Sequence, residues 1–242
     1  MNIAIFGYGK MGKQIELVAI ERGHNVVAFI DNEEDWKKSY NEFLKADIAI
    51  DFSTPEVVIN NIYRCFEHNI PVVIGTTGWY HRLEEVKDKC FELKQTMFYT
   101  SNFSLGVNLF FEVNRMLAQL TNGREEYDVS IEEIHHANKK DKPSGTAILL
   151  ANDIITFLEQ KDTWVNEEND VKSELYIKSQ RIGDRIGTHT VTYTSAMDEI
   201  EVKHTAFDRK SFAIGAIMAA EWLKKKKAKK SGIFKMKDML GF

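Results

Sequence analysis

The sequence predicts a doubly wound α/β domain, with helices on both faces of a parallel sheet, joined to a smaller α+β domain. Three observations carry this expectation. Short apolar runs alternate with amphipathic helical stretches through residues 1–105. A glycine-rich turn separates the first apolar run from the first helix. Beyond Thr121-Asn122-Gly123 the pattern changes to segments with Thr, Tyr, Val and Ile at alternate positions.

Asn2–Phe6 is short and apolar, as a buried strand is. Gly7-Tyr8-Gly9-Lys10-Met11-Gly12 follows, a G-x-G-x-x-G turn. Met11, Ile15, Val18 and Ala19 then recur at helical spacing, and the pattern stops at Gly23. Residues 26–30 form a second apolar strand ending in Asp31, about twenty residues after the last glycine, as a dinucleotide fingerprint requires. Gly7 permits the tight turn, Gly9 lets a pyrophosphate approach the backbone, and Gly12 lets helix pack on strand. Asp31 is placed to accept hydrogen bonds from an adenosine ribose. In this strand–turn–helix–strand setting the domain is of Rossmann type, and the cofactor is NADH, NADPH or both.

Residues 32–35 are acidic and read as a loop. Residues 46–50 are a third strand, running into Asp51-Phe52-Ser53-Thr54-Pro55-Glu56. Ser53 or Thr54 is expected to cap a helix over 57–66, with Pro55 in its first turn. Residues 71–74 are a fourth strand, entering Gly75-Thr76-Thr77-Gly78, and 80–94 an amphipathic helix. Residues 97–99 are a fifth strand, entering Thr100-Ser101-Asn102-Phe103-Ser104. In a parallel sheet these loops all lie at the carboxyl ends of the strands, where ligands bind.

A long helix over 106–120 leads to the second domain. Residues 128–134 form a strand running into His135 and His136. Lys139, Asp141 and Pro143 follow, and Ser144-Gly145-Thr146 opens a helix over 143–160 with Ser144 as its N-cap. A histidine that titrates near neutral pH, a fixed cation and a helix start that cradles anions suit an enzyme acting on a small carboxylate. Strands are expected over 174–181, 189–195 and 199–204, the last two as a hairpin, and a helix over 211–223. The lysine-rich run 224–230 reads as a solvated helix end. Residues 231–240 read as a tail anchored by Ile233, Phe234, Met236 and Leu240. The expected dinucleotide-binding domain is therefore 1–105 completed by 211–242, and the substrate-binding and oligomerisation domain is 106–210.

The 242 residues are 43% hydrophobic, enough for a core, and the net charge of −4 offers no broad basic field for nucleic acid. No apolar run reaches the length of a membrane span, and the N-terminus lacks the basic leader of a signal peptide. Cys65 and Cys90 both fall in helical stretches and are expected as buried thiols, not a disulfide or metal pair. A soluble cytoplasmic protein with no resident metal is the expectation.

The sequence also resembles the dihydrodipicolinate reductase family, the 4-hydroxy-tetrahydrodipicolinate reductases of bacterial lysine and diaminopimelate synthesis. The resemblance spans nearly the whole chain. It rests on GYGKMG, DFSTPE, VIGTTGW, SNFSLGVN, EIHHANKKDKPSGTA, RIGDRIGTHTV and GIFKMKDML, in the family's order. It implies that His135 acts as proton donor and acceptor and Lys139 as a proton donor. It implies that His136, Ser144, Gly145 and Thr146 contact a dicarboxylate substrate. Cofactor contacts are implied for Gly7 to Gly12, Asp31, Gly75, Thr76, Thr77, Thr100, Ser101, Asn102 and Phe103. A homotetramer built through the second domain is implied as well. The chain departs from the family's habit at Lys142, where alanine is usual, and at Asn32, where many members carry arginine. The second departure implies that NADH is used at least as well as NADPH. Two other readings stay open at this level: another two-domain amino-acid or diamino-acid dehydrogenase, and a non-catalytic NAD(P)H sensor.

Overall fold

The computed structural model describes residues 1–227 and 231–242. The chain divides into two compact units, Met1–Leu105 with Lys210–Phe242, and Gly106–Arg209.

The strands of the first unit are β1 (Asn2–Phe6), β2 (Asn25–Ile30), β3 (Ile48–Asp51), β4 (Val72–Ile74), β5 (Thr96–Tyr99) and, late in the chain, β11 (Gly232–Phe234). They lie in the order β11-β5-β4-β3-β1-β2, and every pairing is parallel. The helices are α1 (Lys10–Glu21), α2 (Glu33–Phe43), α3 (Val58–Glu67), α4 (Leu83–Glu92), α7 (Lys210–Lys227) and α8 (Met236–Leu240). Successive residues of a strand face opposite ways. In β1, Ala4 and Phe6 join a core with Ile62, Cys65 and Val86. Ile3 and Ile5 join the opposite core with Ile15, Phe98 and Ile217. A strand covered on both faces must be apolar throughout, which is why these runs show no alternation. β1 pairs with β2 on one side and β3 on the other, so the sheet has its switch point there. The loops after β1 and β3 flank the resulting crevice.

Three details differ from the expectations. Residues 32–35 are not a loop but the cap and first turn of α2. The Asn32 side chain accepts from the amides of Glu34 and Asp35 at 2.9 and 3.0 Å. Glu33, Glu34 and Asp35 then occupy the positive end of the helix, where carboxylates are favoured. Neither Ser53 nor Thr54 caps α3. Its N-cap is Val57, without a side-chain bond, because the Ser53 hydroxyl turns back to Asp51 at 2.7 Å. Residues 231–240 are not merely a tail: β11 extends the sheet beside β5, with Ile233 opposite Met97. The lysine run agrees with the expectation where it is described: Lys224, Lys225 and Lys226 are exposed at the end of α7. Lys224 pairs with Asp47 at 2.9 Å and Lys226 sits 5.1 Å above the Trp222 ring, while residues 228–230 of the run lie outside the described residues.

The second unit contains α5 (Leu105–Thr121), β6 (Asp128–His135), α6 (Gly145–Phe157), β7 (Thr163–Val165), β8 (Glu174–Arg181), β9 (Gly187–Thr194) and β10 (Glu199–Ala206). The helix expected over 143–160 is thus shorter at both ends, and the three-residue β7 has too little periodicity to be visible in the sequence. The sheet order is β10-β9-β6-β8-β7; β6 runs parallel to β8 and antiparallel to β9, and β9–β10 is the expected hairpin. Phe110 and Ala118 of α5 and Leu150 and Ile154 of α6 pack on Val129, Ile131, Ile177 and Val191 of the sheet. Cys65 and Cys90 are free and buried, and burial pushes the Cys90 thiol up to about 12. Among the described residues no helix is long and apolar enough to cross a membrane.

One close approach fixes α7 against the loop after β5. A β-carbon at Gly215 would lie 1.8 Å from the Phe103 carbonyl oxygen. Gly215→Ala is therefore expected to destabilise the protein by about 1–3 kcal/mol, a fall in Tm of roughly 2–12 °C for a chain of this size. Thermal denaturation followed by circular dichroism checks this, and an unchanged Tm would show that the contact relaxes freely.

Candidate active site

At the switch point the chain brings two loops together. Gly7 has φ +84°, and a β-carbon there would lie 2.3 Å from the Phe52 carbonyl oxygen. A β-carbon at Gly12 would lie 2.2 Å from the Gly7 oxygen, so α1 can sit this close to the loop only with glycine there. Gly9 is exposed, with open space where its side chain would be, and as N-cap of α1 it makes no side-chain bond. The start of α1 therefore lies open to an anion. Lys10 is exposed, and Met11 packs against the lower core. The Tyr8 hydroxyl bonds to Glu16, and the Tyr8 amide donates to Asp31 at the end of β2. The shape suits the phosphates of a dinucleotide, with Asp31 exposed beside it for a ribose.

Behind this edge lies the buried carboxylate of Asp51. It accepts from the Ser53 amide at 3.0 Å, the Ser53 hydroxyl at 2.7 Å, Asn61 at 2.9 Å and the Thr76 hydroxyl at 2.6 Å. Burial pushes its pKa up, and these four donors work against that. One carboxylate thus ties the loop after β3, helix α3 and the loop after β4. The Thr76 hydroxyl is consumed there, its amide bonds the Asp51 carbonyl at 3.3 Å and its carbonyl accepts from the Trp79 indole at 2.8 Å; Thr77 is exposed. Gly75 packs edge-on to the Phe52 ring, where a β-carbon would lie 2.2 Å from it. The Thr100 hydroxyl bonds within its own loop to Asn102, at 3.0 and 3.2 Å, and Ser101 is exposed. Phe103 is buried, its ring stacked 5.9 Å from Phe98 and 5.6 Å from Phe52, so its side chain supports the edge from beneath.

In the second unit the helix-covered face of β6 reads Val129, Ile131, Glu133, His135. The same face passes from core to polar cluster along one strand. Register places Glu133 opposite His189 of β9 and Ser179 of β8, and His135 opposite Arg181. Glu133 Oε2 stands 3.0 Å from His135 Nδ1. Glu133 Oε1 accepts from the Ser144 amide and from Arg181, each at 3.0 Å. Arg181 also donates to the carbonyls of Lys139 and Asp141, which fastens the loop bearing Lys139. Lys139 Nζ pairs with Asp141 at 2.8 Å and holds that carboxyl below its ordinary range. Ser144 caps α6 through the Ala147 amide at 3.2 Å and lies 3.1 Å from His189 Nε2. Gly145 is exposed and Thr146 half-buried, and among the described residues none accepts from their amides. His136, the next residue after β6, lines a cavity of about 410 Å³ with Asn138, Asp184, Ile186, Asp208 and Arg209.

The buried groups have definite charge states. Burial alone would raise the Glu133 carboxyl, but bonds from His135, Ser144, Arg181 and Ser179 outweigh it and hold the group well below the ordinary carboxylate range. Burial, followed by the neighbouring His135, lowers His189 to about 3. Donor atoms of Glu133, His135 and His189 lie within 4.8 Å of one another, donor types that metals accept. Arg181 and the Ser144 amide occupy the Oε1 side of the carboxylate. Sequence reasoning gave no role to Glu133, Arg181, His189 or Asp51. All four lie inside stretches the sequence does single out, but only strand register brings the first three together.

His189 makes the fold acid-sensitive. The unfolded chain takes up a proton near pH 6.5, whereas the folded site stays neutral until about pH 3, so stability is lost as pH falls between these values. Glu133 adds to the loss below its ordinary value of 4.5. Urea denaturation of wild type is expected to lose roughly 2 kcal/mol to this histidine between pH 6.5 and 4.5. His189→Gln should remove most of that slope, and an undiminished slope would place the acid sensitivity elsewhere.

The comparisons with known proteins agree with this geometry. The family models for the dihydrodipicolinate reductase N-terminus and C-terminus match residues 1–103 and 106–240. A 4-hydroxy-tetrahydrodipicolinate reductase of Christiangramia forsetii is 47% identical over 240 residues, 99% of this chain and 98% of that protein. One of Thermosipho africanus is 34% identical over 241 residues, with the same coverage of 99% and 98%. A solved dipicolinate-bound dihydrodipicolinate reductase from Paenisporosarcina sp. TG-14 shares the fold, with a TM-score of 0.77 at 22% identity over 98% of each chain. A C. glutamicum DAP dehydrogenase shares it more distantly, with a TM-score of 0.53 at 13% identity over 97% of this chain and 92% of that one. Both halves are matched in order, and relatives of equal length align throughout: the chain belongs to the dihydrodipicolinate reductase family, a family of oxidoreductases.

Proposed function

We propose that this protein reduces 4-hydroxy-tetrahydrodipicolinate to tetrahydrodipicolinate with NAD(P)H, a step of lysine and diaminopimelate synthesis. The observation that carries this reading is the end of β6. There a buried imidazole, an open helix start and a fastened lysine loop lie together in a chain of this family. The substrate gains a hydride and a proton and loses water. When bound, the nicotinamide supplies the hydride. The glycine loop and Asp31 bind and orient the cofactor, and the main chain around Gly75 to Thr77 and Thr100 to Asn102 lines its edge. His135 gives the proton to the ring at Nε2. The amides of Gly145 and Thr146 receive one substrate carboxylate, with Ser144 and His136 nearby. Lys139 exchanges Asp141 for substrate charge and serves as a second proton source. Assembly as a homotetramer through the second unit, and work in the cytoplasm, are parts of this reading that rest on the family resemblance.

The assay that tests it is oxidation of reduced coenzyme with freshly generated substrate, run with NADH and NADPH in parallel. The acidic turn after β2 repels a 2′-phosphate. Two of the nearby cations are engaged, Lys38 with Glu34 at 2.7 Å and Arg64 with Glu33 at 2.6 Å, while Lys37 is exposed. NADH is expected to give kcat/KM at least equal to NADPH. A strong NADPH preference would reject the coenzyme assignment, and no turnover with either would reject the activity.

Pyridine-2,6-dicarboxylate, a planar relative of the substrate, is expected to inhibit competitively. A hydrogen bond to a charged group contributes roughly 1.5–3 kcal/mol, so Lys139→Ala should weaken this inhibition about 10–150-fold. Calorimetry with NADH present reads the affinity directly. Undiminished binding in the variant would remove Lys139 from the anion site.

A further inference from the structure

We propose that Glu133 is the positioning residue of His135: its carboxylate takes the Nδ1 proton, so that Nε2 alone carries the proton the site gives away. This rests on the reading of His135 as proton donor and specifies how that donor is held.

The carboxylate is held in place by its other oxygen. Glu133 is fully buried, and Oε1 is occupied by the Ser144 amide and the Arg181 guanidinium. Oε2 is left facing His135 Nδ1 at 3.0 Å. Nδ1 and Oε2 are both buried and neither has another hydrogen-bond partner among the described residues; at 3.0 Å the ring is not turned into line for a well-formed bond, yet each is the one group within reach of the other. An ionised carboxylate only accepts hydrogen bonds, so a bond between them places the proton on Nδ1. Nε2 has the opposite surroundings. A β-carbon at Gly187 would lie 3.0 Å from it, so glycine leaves that edge of the ring uncovered. His189, edge-on to His135 with ring centroids 5.0 Å apart, does not compete for the carboxylate. Its Nε2 is 3.8 Å from Oε2 and 3.1 Å from the Ser144 hydroxyl. The charged and titratable groups around the imidazole are Glu133 on β6, Arg181 on β8, His189 on β9, His204 on β10 facing His189, and Lys139 and Asp141 on the loop. Of these, Glu133 is the one in contact with Nδ1. Ser144 couples the two halves of the site, because the residue that caps the anion-binding helix start also fixes the carboxylate behind the proton donor.

Two measurements test this. Side-chain ¹⁵N NMR of the wild-type protein is expected to show His135 as the Nδ1–H tautomer when neutral, with Nε2 as the titrating nitrogen. The Nε2–H tautomer would overturn the proposal, whatever any variant does. The second is the pH dependence of kcat. Glu133→Gln removes the negative charge behind Nδ1 and should move the alkaline limb to lower pH. It should lower kcat above neutral pH and leave KM for the coenzyme nearly unchanged. Glu133→Asp, which keeps the charge, should return the limb part of the way. His135→Gln should lower kcat roughly 10²–10⁴-fold and abolish the limb. If His135→Gln does this but Glu133→Gln leaves the limb in place, Glu133 is structural and the positioning role is lost. If His135→Gln keeps wild-type turnover, the proton-donor reading itself fails, and this proposal with it.

Discussion

A carboxylate buried at the end of a strand must be surrounded by donors, and at Glu133 those donors come from every element of the site. The desolvation penalty of a lone buried charge is several kcal/mol, and here Arg181, the Ser144 amide and His135 meet it. Those same partners are the ones the chemistry needs in fixed positions. Arg181 fastens the Lys139 loop, Ser144 caps the helix whose first amides are open, and His135 is the proton donor of the proposed reaction. The geometry of the polar cluster at the end of β6 follows from satisfying one side chain.

Asp51 has the same part in the first unit with a different balance of forces. Its partners are neutral hydroxyls, an amide and an asparagine, and burial prevails over them, so its pKa is raised where that of Glu133 is lowered. A guanidinium makes the difference: full positive charge stabilises a buried anion far more than neutral donors do. At Asp51 the carboxylate works as a knot. It ties the loops after β3 and β4 to α3, behind an edge where Gly7 and Phe52 already touch. A rigid edge of this kind orients a cofactor without contacting it through Asp51.

Much of the first unit was legible in the sequence because its signals are local. Uniformly apolar runs, a glycine turn and an acid about twenty residues on each lie within a short window. Ser144 was legible as a cap for the same reason. Residues 32–35 were misjudged because charge suggests a loop, whereas an asparagine followed by three acids is also a favourable helix start. The tail was misjudged because β11 has three residues and its partner β5 lies far back in the chain.

By itself the sequence determined the longer strands, where the glycine turn sits, and that His135, Lys139 and a helix start share one stretch. Tertiary structure alone decided that Glu133 meets His189 and Arg181, that the Thr76 hydroxyl turns inward to Asp51, and that the Phe103 ring lies beneath the edge and not on it. The physical reason is that side-chain alternation is a property of one strand, whereas register is a property of two. A shift of one residue would turn His189 to the other face of its strand. What sets register is the packing of Val129, Ile131, Ile177 and Val191 under α5 and α6, an interaction spread across the whole unit.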